Sequence, residues 1–412
     1  MIRFNRHKLD NGLRLLHYQD SVTKMVTLNL LYNVGSKDES PQHTGLAHLM
    51  EHLMFTGSKN VPKFDAALQR AGGSSNAWTS VDMTNYFETL PAHNIETAMW
   101  VESDRLMALN LSDESIRIQK DVVMEEFKQR LLNEPYGDLT HLMHSLTYKV
   151  HPYQWPTIGK TLDEIDEMPR EVILDFYNKY YSVDNLVMCI AGNIDFEKAV
   201  DLTAQWFGDF KPSGIAPRNL PAEPPQTEPR ILRVERDVPQ SMLLKLYHMP
   251  AYAGELYPAC DLLSDVLSSG NSARFQQNVL TKSSILTDLE ACIEATLDPG
   301  LFIVRAQLND GTTFEQAEEI VNAELNNILK EGVTQYELEK CLNKFHAAAV
   351  FDNQSYQEKA TRLCKFELVG NADLINEEID RYRAVTIDVI DEAARNLFDT
   401  NNCSTIYYSK KQ

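Results

Sequence analysis

At 412 residues the chain is longer than one ordinary hydrophobic core organises, so two or three domains are expected. Its make-up, 43% hydrophobic and 24% charged, is that of a folded globular protein. A formal charge of −20, from 39 basic and 59 acidic residues, excludes the basic footprint of a nucleic-acid binder. No apolar run approaches the roughly 18 residues of a membrane-spanning helix. The opening residues carry neither an apolar signal core nor a small-residue cleavage site. They read as the start of a cytoplasmic chain, or of a periplasmic one if a leader has been removed. The cysteines, Cys189, Cys260, Cys292, Cys341, Cys364 and Cys403, are scattered without a CxxC pair and read as buried thiols.

The alternation around Asn11-Gly12 predicts strand, turn and strand. The strand after the turn is expected over 12–18 and a further one over 26–34, then helices over 44–55 and 63–71, the latter stopping at Gly72-Gly73. Strands follow at 75–80 and 83–90, helices at 95–109 and 115–131, a helix at 170–181 and a strand at 186–191. Residues 211–230 hold six prolines and little apolar periodicity, which predicts an extended connector. The order then repeats, with strands at 230–236 and 242–249 and helices at 256–268 and 272–280. Strands at 286–296 and 300–308, helices at 313–330 and 335–351, two more amphipathic stretches and a strand at 403–409 complete it. The expected fold is α+β: two tandem homologous domains, each a mostly antiparallel sheet packed with helices. Their expected limits are 1–212 and 230–412, joined by a Pro-rich linker over 213–229.

The segment GLAHLMEHLMF, 45–55, carries the chemistry. On a helix turning roughly 100° per residue, His48 and His52 lie about 40° apart and Glu51 about 60° to the other side. Two imidazoles one turn apart suit a single Zn²⁺, and the carboxylate beside them suits a general base. The flanking Leu46, Leu49, Met50, Leu53, Met54 and Phe55 bury this helix nearly all round, where two histidines and a glutamate are costly unless paired or coordinated. A third ligand must come from another element. In DVVMEEFKQR, 121–130, Val122 and Val123 set the apolar face; Glu126 follows them at i+4 and i+3, while Glu125 sits about 100° around, toward solvent.

An HxxEH helix followed about 75 residues later by glutamate resembles the pitrilysin and insulin-degrading-enzyme family, which includes mitochondrial processing peptidase. Further segments carry the resemblance: Val34-Gly35-Ser36 with Asp38-Glu39, the run from Gly73 to Ser80 with Asp82 and Asn85, Asn133 to Gly137, and His151-Pro152-Tyr153. The resemblance implies that His48, His52 and Glu126 hold Zn²⁺ and that Glu51 is the base. It implies that the strand at Asn76, Ala77 and Trp78 receives substrate as an added β-strand. The implied activity is a zinc-dependent endopeptidase, the catalytic subunit, acting on peptides or presequences in a chamber. The alternative is a non-catalytic structural or assembly subunit on the same fold.

Two departures from the family pattern stand out. A glutamate that often supports the site from seven residues before the third ligand is here Gln119, which keeps hydrogen bonding and loses charge. An Arg and a Tyr that the second half usually offers fall on Leu280 and Thr287. A related companion subunit supplying that pair in a heterodimer is therefore expected, a homodimer remaining open.

Overall fold

The N-terminal alternation folds as a hairpin of β1 (Asn5–Lys8) and β2 (Arg14–Gln19), with Gly12 at φ 95° in its turn. The computed structural model describes residues 1–411. With β3 (Met25–Tyr32), β4 (Ser74–Thr79), β5 (Thr84–Pro91) and β6 (Leu186–Gly192), the hairpin builds a sheet of order β1-β2-β6-β3-β5-β4. Central β3 and β6 are apolar and buried along nearly their whole length, whereas β4 lies at an edge and is only partly covered.

The helices of this half are α1 (Leu46–Met54), α2 (Phe64–Arg70), α3 (Ile95–Ala108), α4 (Asp113–Phe127), α5 (Leu139–Thr147), α6 (Leu162–Asp166), α7 (Arg170–Tyr180) and α8 (Phe196–Phe207). The helix expected over 115–131 ends as a π-helical turn, Lys128–Leu132.

The second half repeats this plan. Strands β7 (Arg230–Arg236), β8 (Met242–Met249), β9 (Leu286–Glu294), β10 (Gly300–Leu308) and β11 (Cys403–Lys410) form a sheet of order β7-β11-β8-β10-β9. Apart from the extra β1, the two sheets share one topology: a parallel pair (β2 with β6, β7 with β11) and otherwise antiparallel neighbours. Helices α9 (Tyr257–Ser268), α10 (Phe314–Glu331), α11 (Gln335–Asp352), α12 (Tyr356–Leu368), α13 (Leu374–Arg383) and α14 (Ile387–Leu397) keep the order too. The expected α+β fold with two homologous sheet-and-helix domains is what the chain adopts.

The compact units do not coincide with the two sequence halves, 1–212 and 230–412. One unit gathers residues 1–129, 155–220 and 350–377; the other gathers 130–154, 221–349 and the chain from Glu378 onward. The helices at equivalent places in the repeat, α5 and α12, are exchanged. In the first unit, α12 lies on β3 and β6, where Thr361 donates to Asn29 Oδ1 (3.0 Å) and Asn29 in turn pairs with Asn85. In the second, Leu139, Leu142, Met143 and Leu146 of α5 cover Met242, Leu244, Leu246, Ile406 and Tyr408. Each sheet has an apolar outer face that must be covered, and a helix from the other sequence half covers it. Residues 211–227 hold no helix or strand. Among the described residues no helix is long and apolar enough to cross a membrane.

Candidate active site

Helix α1 starts at Gly45, whose φ of 84° and whose Cα, so close to Ile158 that an added Cβ would lie 2.8 Å from its carbonyl oxygen, exclude other residues. Leu46, Ala47, Leu49, Met50, Leu53 and Met54 are buried, which leaves His48, Glu51 and His52 as one half-buried stripe. Helix α4 starts under a Ser112 cap and buries Ile116, Val123 and Phe127. Glu126 is half-buried and meets both histidines: Oε2 lies 3.3 Å from His52 Nε2 and Oε1 lies 3.8 Å from His48 Nε2. One donor atom from each of the three residues falls within 4.8 Å of the others.

Val122 does not share the apolar face, as the sequence reading had it; it is 44% exposed, and Val123 alone sets the side on which Glu126 points. Glu125 is exposed and pairs with Lys128. Gln119, two turns before Glu126 on the same face, is half-buried.

Two imidazoles and a carboxylate form the donor set of a hydrolytic zinc site with an open fourth position. Atoms bound to one tetrahedral zinc lie roughly 3.4 Å apart. The Glu126 oxygens lie near that distance from the two histidines, 3.3 and 3.8 Å, and the three donors span at most 4.8 Å. The donor set fits zinc in kind, and closing it on one ion draws the side chains slightly together.

Strand β4 pairs with β5 on one side only, so its other edge lies outside the ladder. Its side chains alternate between two faces. Ser75 bonds Asp65 of α2, and Thr79 donates its hydroxyl to Glu51 Oε2, so the odd positions face α1 and α2. Trp78 lies on the opposite face, under Lys365 of α12 at 5.0 Å. Asn76 is exposed, and its Oδ1 accepts the Ala77 N–H (2.9 Å). Of the three expected strand residues, then, only Ala77 turns its side chain to the α1 face.

Several residues support the site through contacts that carry no signal in the sequence. Buried Glu39 accepts from Gly45 N (3.0 Å) and Ala47 N (2.7 Å), capping α1 from outside the helix. Burial pushes its carboxyl well above the usual carboxylate range, against the pull of those two bonds. Glu39→Ala would strand both N–H groups, and a loss of about 2 kcal/mol in chemical denaturation is expected. Arg218, in the Pro-rich connector, grips Asp38 through two nitrogens (both 2.7 Å) and reaches Asn33 (2.6 Å). Lys37 and Asp82 pair at 2.6 Å, both buried. These bonds fix the β3–α1 loop against the β4–β5 turn. A proline-rich run gave no signal that one of its residues would be an anchor.

The second unit carries no such metal group among the described residues. On α9 the partly exposed positions Asp261 and Asp265 repeat the spacing of His48 and His52, with Ser264 at the spacing of Glu51. Asp265 pairs with Lys344 (2.8 Å) and Asp261 accepts from Tyr382 (2.5 Å), so those carboxylates are already engaged. Leu280 packs against the core and exposed Thr287 bonds Gln240 (3.3 Å), and neither offers the chemistry of an Arg or a Tyr.

The family model for insulinase (peptidase family M16) matches residues 14–161, and that for the peptidase M16 inactive domain matches residues 167–345. The chain is 29% identical over 338 residues to the zinc protease PqqE of Helicobacter pylori, covering 81% of this chain and 76% of that protein. It is 24% identical to the "uncharacterized zinc protease YmxG" of Bacillus subtilis, covering 95% of each. A crystal structure of a protease from Helicobacter pylori superposes with a TM-score of 0.92 at 25% identity, covering 99% of this chain and 100% of that one. The first matched segment holds the histidine pair, the second runs from before α7 of the first half to α11 of the second without it, and the chain belongs to the pitrilysin (M16) family of metallopeptidases.

Proposed function

We propose that the chain is a zinc-dependent endopeptidase subunit in which His48, His52 and Glu126 hold the metal and Glu51 is the general base. The observation that carries this reading is the convergence of those three donors, from α1 and α4, beside Glu51 and at the end of an open edge strand. Bound zinc supplies Lewis acidity, polarising a peptide carbonyl and making water a stronger nucleophile. Glu51 takes the proton from the attacking water and returns it to the departing amine. The unpaired edge of β4 holds an extended peptide through main-chain bonds, which accept varied side chains. Gln119, on the same face of α4, would support the site by hydrogen bonding without adding charge.

Leu280 and Thr287 stand at the two positions where the family pattern has an Arg and a Tyr, so we propose that a related companion subunit provides that pair. The test is hydrolysis of a peptide series by the purified chain, alone and mixed with a related chain that carries the pair. Chelator and zinc add-back serve as controls. Cleavage that needs the mixture, stops with chelator and returns with zinc is expected. Full zinc-dependent activity of the chain alone would remove the companion. Cleavage that ignores chelator would remove the metal mechanism.

A further inference from the structure

We infer that Thr79 is a positioning residue for Glu51, an assignment that rests on the peptidase reading above. The Thr79 hydroxyl donates to Glu51 Oε2. A hydrogen bond to an ionised carboxylate is among the stronger ones a side chain makes. Holding Oε2 fixes the plane of the carboxylate, and with it the direction in which Oε1 points.

The hydroxyl is itself rigidly held. Thr79 is the last residue of β4 and stands opposite Thr84 in the ladder. Thr84 anchors to the Val34 carbonyl (2.9 Å), and the turn beyond Thr79 is closed by Ser80 N to Met83 O (2.9 Å). That turn is bonded to the loop before α1 by Ser36 N to Ser80 O (3.2 Å) and Lys37 N to Val81 O (2.9 Å). Gly35 packs so tightly there that an added Cβ would lie 2.5 Å from the Val81 main chain. A β-branched residue in a strand has few side-chain rotamers, so a fixed backbone fixes the hydroxyl. The same strand offers its open edge to a peptide, so one element sets both the substrate's path and the orientation of the base. Thr79 does not touch the reacting atoms; it acts through Glu51.

Two measurements test this. The first is a double-mutant cycle on zinc-free protein, with Thr79→Val, Glu51→Ala and the pair, read as unfolding equilibria in denaturant. A coupling of roughly tenfold in the unfolding constant is expected. The second is steady-state kinetics of zinc-loaded wild type, Thr79→Val and Thr79→Ser. Thr79→Val should lower kcat roughly ten- to a hundredfold, leaving KM within about twofold, and Thr79→Ser should recover most of the loss. No coupling, an unchanged kcat in Thr79→Val, or a rise in KM alone would each overturn the assignment. Wild-type protein that cleaves no peptide under any condition would overturn the peptidase reading and the positioning role together. A coupling seen in that case would mark a purely structural bond.

Discussion

Glu51→Gln is expected to keep its zinc and to lose peptide cleavage by roughly 10²–10⁴-fold. Glutamine matches glutamate in shape, and its amide oxygen still accepts from Thr79, so the stripe on α1 and the Glu126 contacts should persist. What it lacks is a basic oxygen to take a proton from water and deliver it to the leaving nitrogen. The check is kcat at matched zinc content, with zinc measured on the same samples. Near wild-type turnover in the variant would show that the proton is handled by another group.

The largest stability effect is expected at Arg105, on α3 beneath the C-terminal end of α1. Its guanidinium is fully buried between Glu102 (2.6 Å) and Glu88 (3.9 Å), over the rings of Tyr86 (4.4 Å) and Phe64 (4.5 Å), and it reaches toward the Met54 carbonyl (3.5 Å). Arg105→Met leaves buried Glu102 without its cation, a change that costs roughly 3–5 kcal/mol and about 10 °C in Tm. Adding Glu88→Gln and Glu102→Gln should restore most of the loss, because a neutral cluster carries no desolvated charge.

Burial and the neighbouring Glu102 carboxylate hold the Glu88 carboxyl well above its ordinary 4.5. The folded state therefore binds this proton more tightly than the unfolded chain does. The associated stability is complete below about pH 4.5 and is lost as pH rises through the raised folded value. Glu88→Gln should flatten that part of the decline in Tm. A slope unchanged by the substitution would mean that Glu88 does not hold the proton.

The chemistry of the site was legible because it is local. His48, Glu51 and His52 sit within one helical turn and a half, and the surrounding apolar residues fix which way that helix is turned. Glu126 was legible through the apolar period of α4, although Val122 faces solvent and only Val123 carries the argument. The repeat was legible because strand and helix periods recur in order, and three strands of the second half, β7, β8 and β10, have the bounds that alternation predicts. The exchange of α5 and α12 was not legible. An amphipathic helix shows that it has an apolar face, not which of two similar sheets that face will cover. The contacts that Glu39, Thr79 and Arg218 make were not legible for a related reason. Each acts through one hydrogen-bonded contact made by the fold, and single polar residues of this kind have no period to betray them.

Catalysis by this chain requires that the two histidines and Glu126 hold a metal in the native protein. Metal analysis of the purified protein beside Glu126→Gln decides it, with circular dichroism to confirm that both are folded. About one zinc per native chain, and a small fraction of that in the variant, is the predicted result. A well-folded native chain without zinc, and unable to take it up on addition, would contradict the account and turn the reading to a structural or assembly subunit on the same fold.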